Sequence, residues 1–172
     1  MASFEGKGGW AGEIEDLMTD IYVMSVEDPS DRRLVVKNGG WPSWGSENVI
    51  FFHRKKDKLW GVYRVDIGKD STSDACRMTP DNIDGFTPAA IDANRVVVVT
   101  VRERFPGLGK AREEPQYRQI EIFDLTKGPD ESTRITQNTR SKFADHFNPF
   151  VIDGGKRIGY HRARGRKLEI RT

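Results

Sequence analysis

Three short markers recur along this chain in a fixed order, and their spacing constrains the fold more than any other feature. The first is a proline set among aromatic residues, followed by a polar turn and an apolar run. It occurs at Pro42, with Trp41, Trp44 and then Val49–Phe52, at Pro88, with Phe86 and then Val96–Val99, and at Pro149, with Phe147, Phe150 and then Ile158–Tyr160. The second is a β-rich run: Asp20–Val26, Gly61–Ile67 and Gln119–Leu125. The third is Arg33-Leu34-Val35, then Arg77-Met78-Thr79, then Arg134-Ile135-Thr136. The prolines step by 46 and 61 residues, the arginines by 44 and 57, and Ser25, Asp66 and Asp124 of the β-rich runs by 41 and 58. All three therefore describe one repeat of about 45 residues and one about 15 longer. The excess falls in Arg104–Gln116, whose Pro, Gly and charge suit an inserted surface loop.

Each repeat holds four short strands: the proline strand, the apolar strand, the β-branched strand and the Arg-hydrophobic-Thr strand. Val, Ile, Tyr and Phe dominate them, and helical periodicity is weak. Four strands in about 45 residues make a propeller blade. A β-sandwich or jelly roll has similar strand density but predicts no ordered three-marker repeat. The fold class expected is all-β: a partial β-propeller of four-stranded antiparallel blades. Its divisions are a half-blade at 1–38, blades at 39–83 and 84–143, and a half-blade at 144–172. Two whole blades and two halves fall below the usual four to eight, so the chain is read as a fragment of a larger propeller. Its open blade edges are expected to drive self-association unless a partner supplies blades.

This register predicts Pro42, Pro88 and Pro149 at equivalent places in the innermost strands. It assigns most of the inter-blade core to Trp44, Ile50, Phe52, Val97, Val99, Phe150, Ile158 and Tyr160. The first two strands of each blade are expected to be the most apolar and the fourth to be a short polar edge. Arg104–Gln116 should protrude, and the best helical turn is Gly12–Met18.

The composition excludes several function classes. Net charge is +2, from 28 basic and 26 acidic residues, which makes no global case for nucleic acid or a membrane surface. The single cysteine, Cys76, has no partner in the chain, and no Cys/His spacing suits zinc. No apolar run reaches the length of a membrane span, and residues 1–9 lack an apolar signal core. The compartment is not fixed by these features.

The string Pro42-Ser43-Trp44, a turn, Val49-Ile50-Phe51-Phe52, Tyr63-Arg64-Val65-Asp66 and Arg77-Met78-Thr79 resembles the WD-like repeat of TolB-type propellers. It is also similar to blades of the N-terminal domain of dipeptidyl peptidase IV-like proteins. The stretch from Gly12 to Arg162 looks most like plant TolB-related proteins with that domain. The family's turn after the first strand usually reads Ser-Pro-Asp-Gly. Here it is Gly45-Ser46-Glu47-Asn48, then Asp92-Ala93-Asn94, then Asp153-Gly154-Gly155. The hairpin survives without the motif, which weakens any transfer of the bacterial envelope role.

Gly40-Trp41-Pro42-Ser43-Trp44-Gly45 lacks the spacing of a Gly-x-Ser-x-Gly nucleophile elbow, so Ser43 is read as structural. His53 and His161 hold equivalent repeat positions and His146 stands apart. Without three convergent ligands they are read as tolerated at strand ends. Gly107-Leu108-Gly109-Lys110 lacks the Walker spacing. Trp41 and Trp44 are read as core rather than as a ligand platform. The basic residues Lys156, Arg157, Arg162, Arg164, Arg166, Lys167 and Arg171 are read as a solvated tail rather than a phosphate site. No catalytic, cofactor or metal residue is assigned. The function expected is a non-catalytic propeller that binds a protein, peptide or glycan. The alternative is the propeller part of a serine peptidase whose hydrolase domain lies outside this chain.

Overall fold

The computed structural model describes residues 19–57, 59–68, 74–102, 118–137 and 146–162. Gly12–Met18, Arg104–Gln116, Gly107–Lys110 and the tail beyond Arg162 lie outside the described residues. The chain divides into two compact units, 1–40 and 41–172.

The smaller unit carries one antiparallel hairpin, β1 (Ile21–Met24) and β2 (Arg32–Val36). Met24 pairs with Arg32 and Tyr22 with Leu34, and the register shifts between Ile21 and Tyr22. Ile21, Val35 and Val36 are buried while Tyr22, Met24 and Leu34 are exposed.

The larger unit holds three antiparallel sheets. The first is β3 (Gly40–Ser46), β4 (Val49–Lys56), β5 (Leu59–Asp66) and β6 (Cys76–Arg77), paired in that order. The second is β7 (Asp84–Ala90), β8 (Arg95–Val101), β9 (Gln119–Asp124) and β10 (Thr133–Arg134), paired likewise. The third is a hairpin, β11 (His146–Ile152) and β12 (Arg157–Arg162). The architecture is a partial β-propeller with two complete blades, β3–β6 and β7–β10. The hairpins β11–β12 and β1–β2 are half-blades.

The proline marker has a backbone cause. Trp41, Thr87 and Asn148, each just before its proline, have φ of 53°, 39° and 47°. In β7 the pairing with β8 slips between Phe86 and Ala89, and in β11 the pairing with β12 slips between Phe147 and Phe150. Each of these slips is a β-bulge centred on the dipeptide. Proline can donate no ladder hydrogen bond, and a bulge on an edge strand needs none there. The three prolines therefore do sit on the same strand type.

The Arg-hydrophobic-Thr marker also has a cause. The fourth strand is only two residues long, so the third strand would lose its partner early. Thr79 Oγ1 accepts the Val62 N–H at 3.2 Å, and Thr136 Oγ1 accepts the Ile120 N–H at 2.9 Å. The residues before them donate from the backbone to the same places, Met78 to Val62 O at 2.8 Å and Ile135 to Ile120 O at 2.9 Å. A threonine hydroxyl thus continues the ladder where the strand has ended.

Strand parity decides which neighbour a buried residue of a middle strand packs on. Val49, Phe51 and Val62 of the first complete blade pack on Val96, Val98 and Phe123 of the second. The opposite face of the second blade, Ala89, Val97, Val99 and Ile120, packs on Phe147, Val151 and Ile158. Turns nest along one rim. A Cβ on Gly45 would come within 2.8 Å of the Asp92 carbonyl oxygen, and one on Gly155, at φ 89°, within 2.8 Å of Ile91 Cγ2. Both approaches leave no room for a side chain.

Several expectations are corrected. Ile50, Phe52, Val97 and Val99 are buried, but Trp44, Phe150 and Tyr160 are 54, 48 and 37% exposed. Counting from the prolines, Trp44 corresponds to Ala90 and Val151, which face the preceding blade. Phe150 corresponds to Ala89, which faces the following one. Within the larger unit no described strand covers the faces that carry Trp44 and Phe150. In the first complete blade the first two strands are not the most buried: β3 is largely exposed, while β4 and β5 carry the core. In the second, β7 and β8 are the most buried strands, as expected.

Candidate functional site

The innermost strand β3 and the seam between the two complete blades gather most of the unusual chemistry. On β3 the Trp41 ring lies 5.8 Å from the His53 ring, and Trp41 remains 43% exposed. Ser43 Oγ accepts the Ala90 N–H at 2.9 Å, which ties β3 to β7 and makes Ser43 a structural link. Trp44 follows with its ring exposed. Two tryptophans and Pro42 thus present apolar surface along one inner strand.

His53 lies in the middle of β4, not at a strand end, and is fully buried. Its Nδ1 accepts the Thr87 N–H across the seam at 3.3 Å. Its ring lies 5.0 Å from that of Trp60, and Nε2 has no hydrogen-bond partner. Burial pushes its pKa down to about 4, because the charged ring would lose its hydration. Trp60 is anchored in turn: its N–H donates to Asp84 Oδ1 at 2.9 Å, and its ring is 6.0 Å from Phe86. Arg64 Nε reaches across to the Ala93 carbonyl at 2.8 Å.

The other histidines do not converge on it. His146 is buried, with Nδ1 3.3 Å from the Arg118 carbonyl and its ring edge-on to Tyr160. His161 is exposed and meets Phe147 edge-on at 5.5 Å. Among the described residues no group of three His, Cys, Asp or Glu side chains could hold a metal ion. Lys156, Arg157 and Arg162 are exposed, and the rest of the basic tail lies outside the described residues.

A buried ionic cluster in the second complete blade went unread in the sequence. Glu121 on β9 is fully buried. Its Oε1 accepts from Thr100 Oγ1 at 2.6 Å and Arg102 Nε at 2.7 Å. Its Oε2 accepts from Arg102 Nη2 at 2.7 Å and from Ser132 Oγ. Burial pushes this carboxyl up, but the hydrogen bonds from Arg102, Ser132 and Thr100 outweigh it and hold the group below its ordinary value. In the first blade the same place is held by Tyr63, whose hydroxyl accepts from Arg77 Nη1 at 3.3 Å. The available signal was phase: Glu121 shares strand parity with Phe123, a core residue. The cluster is fully hydrogen-bonded and reads as blade structure rather than as a reaction centre.

With this geometry in place, comparison with known proteins addresses the fold. No family model and no curated protein matches the sequence. Among solved structures the chain is similar to the crystal structure of TolB from Acinetobacter baumannii, with a TM-score of 0.56 and 19% identity over 86% of this chain and 33% of that one. The fold is that of a TolB-like β-propeller. The chain spans about a third of the length of that TolB. At this identity the likeness establishes architecture, and function rests on the residues themselves. No described helix is long and apolar enough to cross a membrane.

Proposed function

We propose that this chain is a non-catalytic interaction module, a TolB-like propeller segment that binds a protein, peptide or glycan. The observation that carries this reading is the exposed Trp41-Pro42-Ser43-Trp44 strand, with tryptophans 43 and 54% exposed on the innermost strand. Tryptophan supplies large contact area at low conformational cost and is enriched where binding energy concentrates. The Ser43 bond to Ala90 ties this strand to β7, so little ordering is needed when a partner arrives. On the same reading the chain is part of a longer protein resembling the TolB-related proteins of plants.

The test is a peptide-display selection and a glycan array, each run on the wild-type chain and on Trp41→Ser and Trp44→Ser. Ligands should be enriched on the wild type, and each substitution should weaken them at least about tenfold, as loss of an interface anchor does. Ligands that bind all three chains equally would overturn the assignment of the site. Turnover of fluorogenic dipeptide substrates by the purified chain would overturn its non-catalytic character.

A further inference from the structure

His53 occupies a place that the neighbouring blade fills with an apolar side chain. Eleven residues separate Pro42 from His53 and Pro88 from Val99. His53 pairs with Val62, and Val99 pairs with Ile120, the two residues whose N–H groups are taken by the marker threonines. Val99 fills its place as an ordinary buried core residue. Packing alone therefore asks for nothing titratable here.

What the histidine adds is a hydrogen bond that depends on its charge. While Nδ1 accepts the Thr87 N–H, the neutral ring carries its proton on Nε2. A second proton can only go on Nδ1, and that removes the acceptor. The surroundings offer little to an imidazolium. From β3 the ring meets Trp41, and that strand has no charged residue. From β5 it meets Trp60, while the strand's charged residues, Arg64 and Asp66, pair with each other, and Tyr63 hydrogen-bonds Arg77. On β4 itself Arg54 lies over Phe52 and Tyr63, and Lys55 over Trp60. From β7 come Thr87 and Asp84, whose Oδ1 takes the Trp60 N–H. Three cations, Arg54, Lys55 and Lys56, share the strand with His53, and the anion on β7 already serves a neighbour.

We propose that His53 is an acid-released latch between the two complete blades: neutral, it holds β4 to the β7 bulge through the Thr87 N–H, and protonated, it opens that seam. The direction follows from burial, which holds the closed-seam histidine near 4 against 6.5 for an open one. Above pH 6.5 both forms are neutral and the seam is at full strength. As pH falls below 6.5 the open form takes up protons first, and closure weakens until about pH 4. Between pH 7.5 and 5.0 the opening equilibrium rises roughly 30-fold by proton linkage.

Amide hydrogen exchange on the whole chain, corrected for the intrinsic pH dependence, tests this. Wild-type amides of β4 and β7, Thr87 above all, should lose roughly 30-fold in protection between pH 7.5 and 5.0. His53→Asn places an oxygen near the Nδ1 position and does not titrate, so it should show no such loss. NMR titration of the wild-type imidazole supplies a readout that needs no variant to fold. Titration near 6.5 in the folded chain would overturn the latch. So would an equal loss in His53→Asn, or an equal loss at Val97, Val99 and Ile120, which would make the event global.

Discussion

The Glu121–Arg102 pair allows a sharp energetic test. Glu121 is fully buried, and Arg102 supplies two of its four hydrogen bonds and its compensating charge. Arg102→Met keeps much of the aliphatic stem and removes the guanidinium. The carboxylate then keeps two hydroxyl donors, Thr100 and Ser132, and no counter-charge. Breaking one side of a buried pair costs roughly 3–5 kcal/mol. The Arg102 side chain is 26% exposed, so water can partly replace it, and a loss of about 3 kcal/mol at pH 7 is expected. Arg102→Met/Glu121→Met should recover to within about 1 kcal/mol of wild type, because two apolar groups leave no orphaned charge. The pH dependence gives a second sign. In the wild type the carboxyl is held below its ordinary value, so its contribution is present above the unfolded pKa and is lost as pH falls. Without Arg102, burial prevails and the carboxyl moves up. The penalty of Arg102→Met should therefore shrink between pH 7 and 5 as the orphaned group takes up a proton. Urea unfolding of the four members of the cycle at both pH values measures this. His53 acts equally in all four, so its acid sensitivity cancels in the differences. A single-mutant loss below 1 kcal/mol, or one independent of pH, would show that water reaches Glu121 and that the burial argument fails.

Two further outcomes are expected. Thr79→Val and Thr136→Val should each lose about 1–3 kcal/mol in urea unfolding, since each orphans a buried N–H, on Val62 and on Ile120; equal stability to wild type would mean that the hydroxyls do not extend the ladder. The isolated chain should self-associate through uncovered apolar faces such as Phe150 and Ile152, 48 and 39% exposed. Light scattering after size-exclusion chromatography should show this, with reversal by Phe150→Asp/Ile152→Asp, whereas a monodisperse, cooperatively melting wild-type monomer would refute it.

Much of the architecture was legible in residue order. Strand existence follows from β-branched runs, and the blade follows from three markers in one register. The structure then supplies the reasons for two of them: a left-handed residue before each proline and, in both complete blades, a hydroxyl that continues the ladder. These are local effects of backbone and side-chain chemistry, so they recur wherever the local sequence recurs. The site was far less legible. Trp44, Phe150 and Tyr160 look like core by residue type, and their exposure depends on which blade face meets a neighbour. Serine at position 43 could be denied an elbow from its spacing, but its bond to Ala90 joins residues 47 positions apart.

Histidine 53 and Glu121 mark the boundary most clearly. Repeat position alone placed His53 and His161 at equivalent places in the pattern. Yet His53 is buried and His161 exposed: among the described residues His53 meets a following blade, whose Thr87 lies 34 residues further along. Glu121 is buried because Thr100, Arg102 and Ser132 converge on it from adjoining strands and the loop before β10. Sequence by itself determines which strands form and how they repeat, since those properties depend on neighbours along the chain. Tertiary structure alone decides which polar groups are dry and which charges are paired, since burial depends on segments that meet only after the blades have stacked.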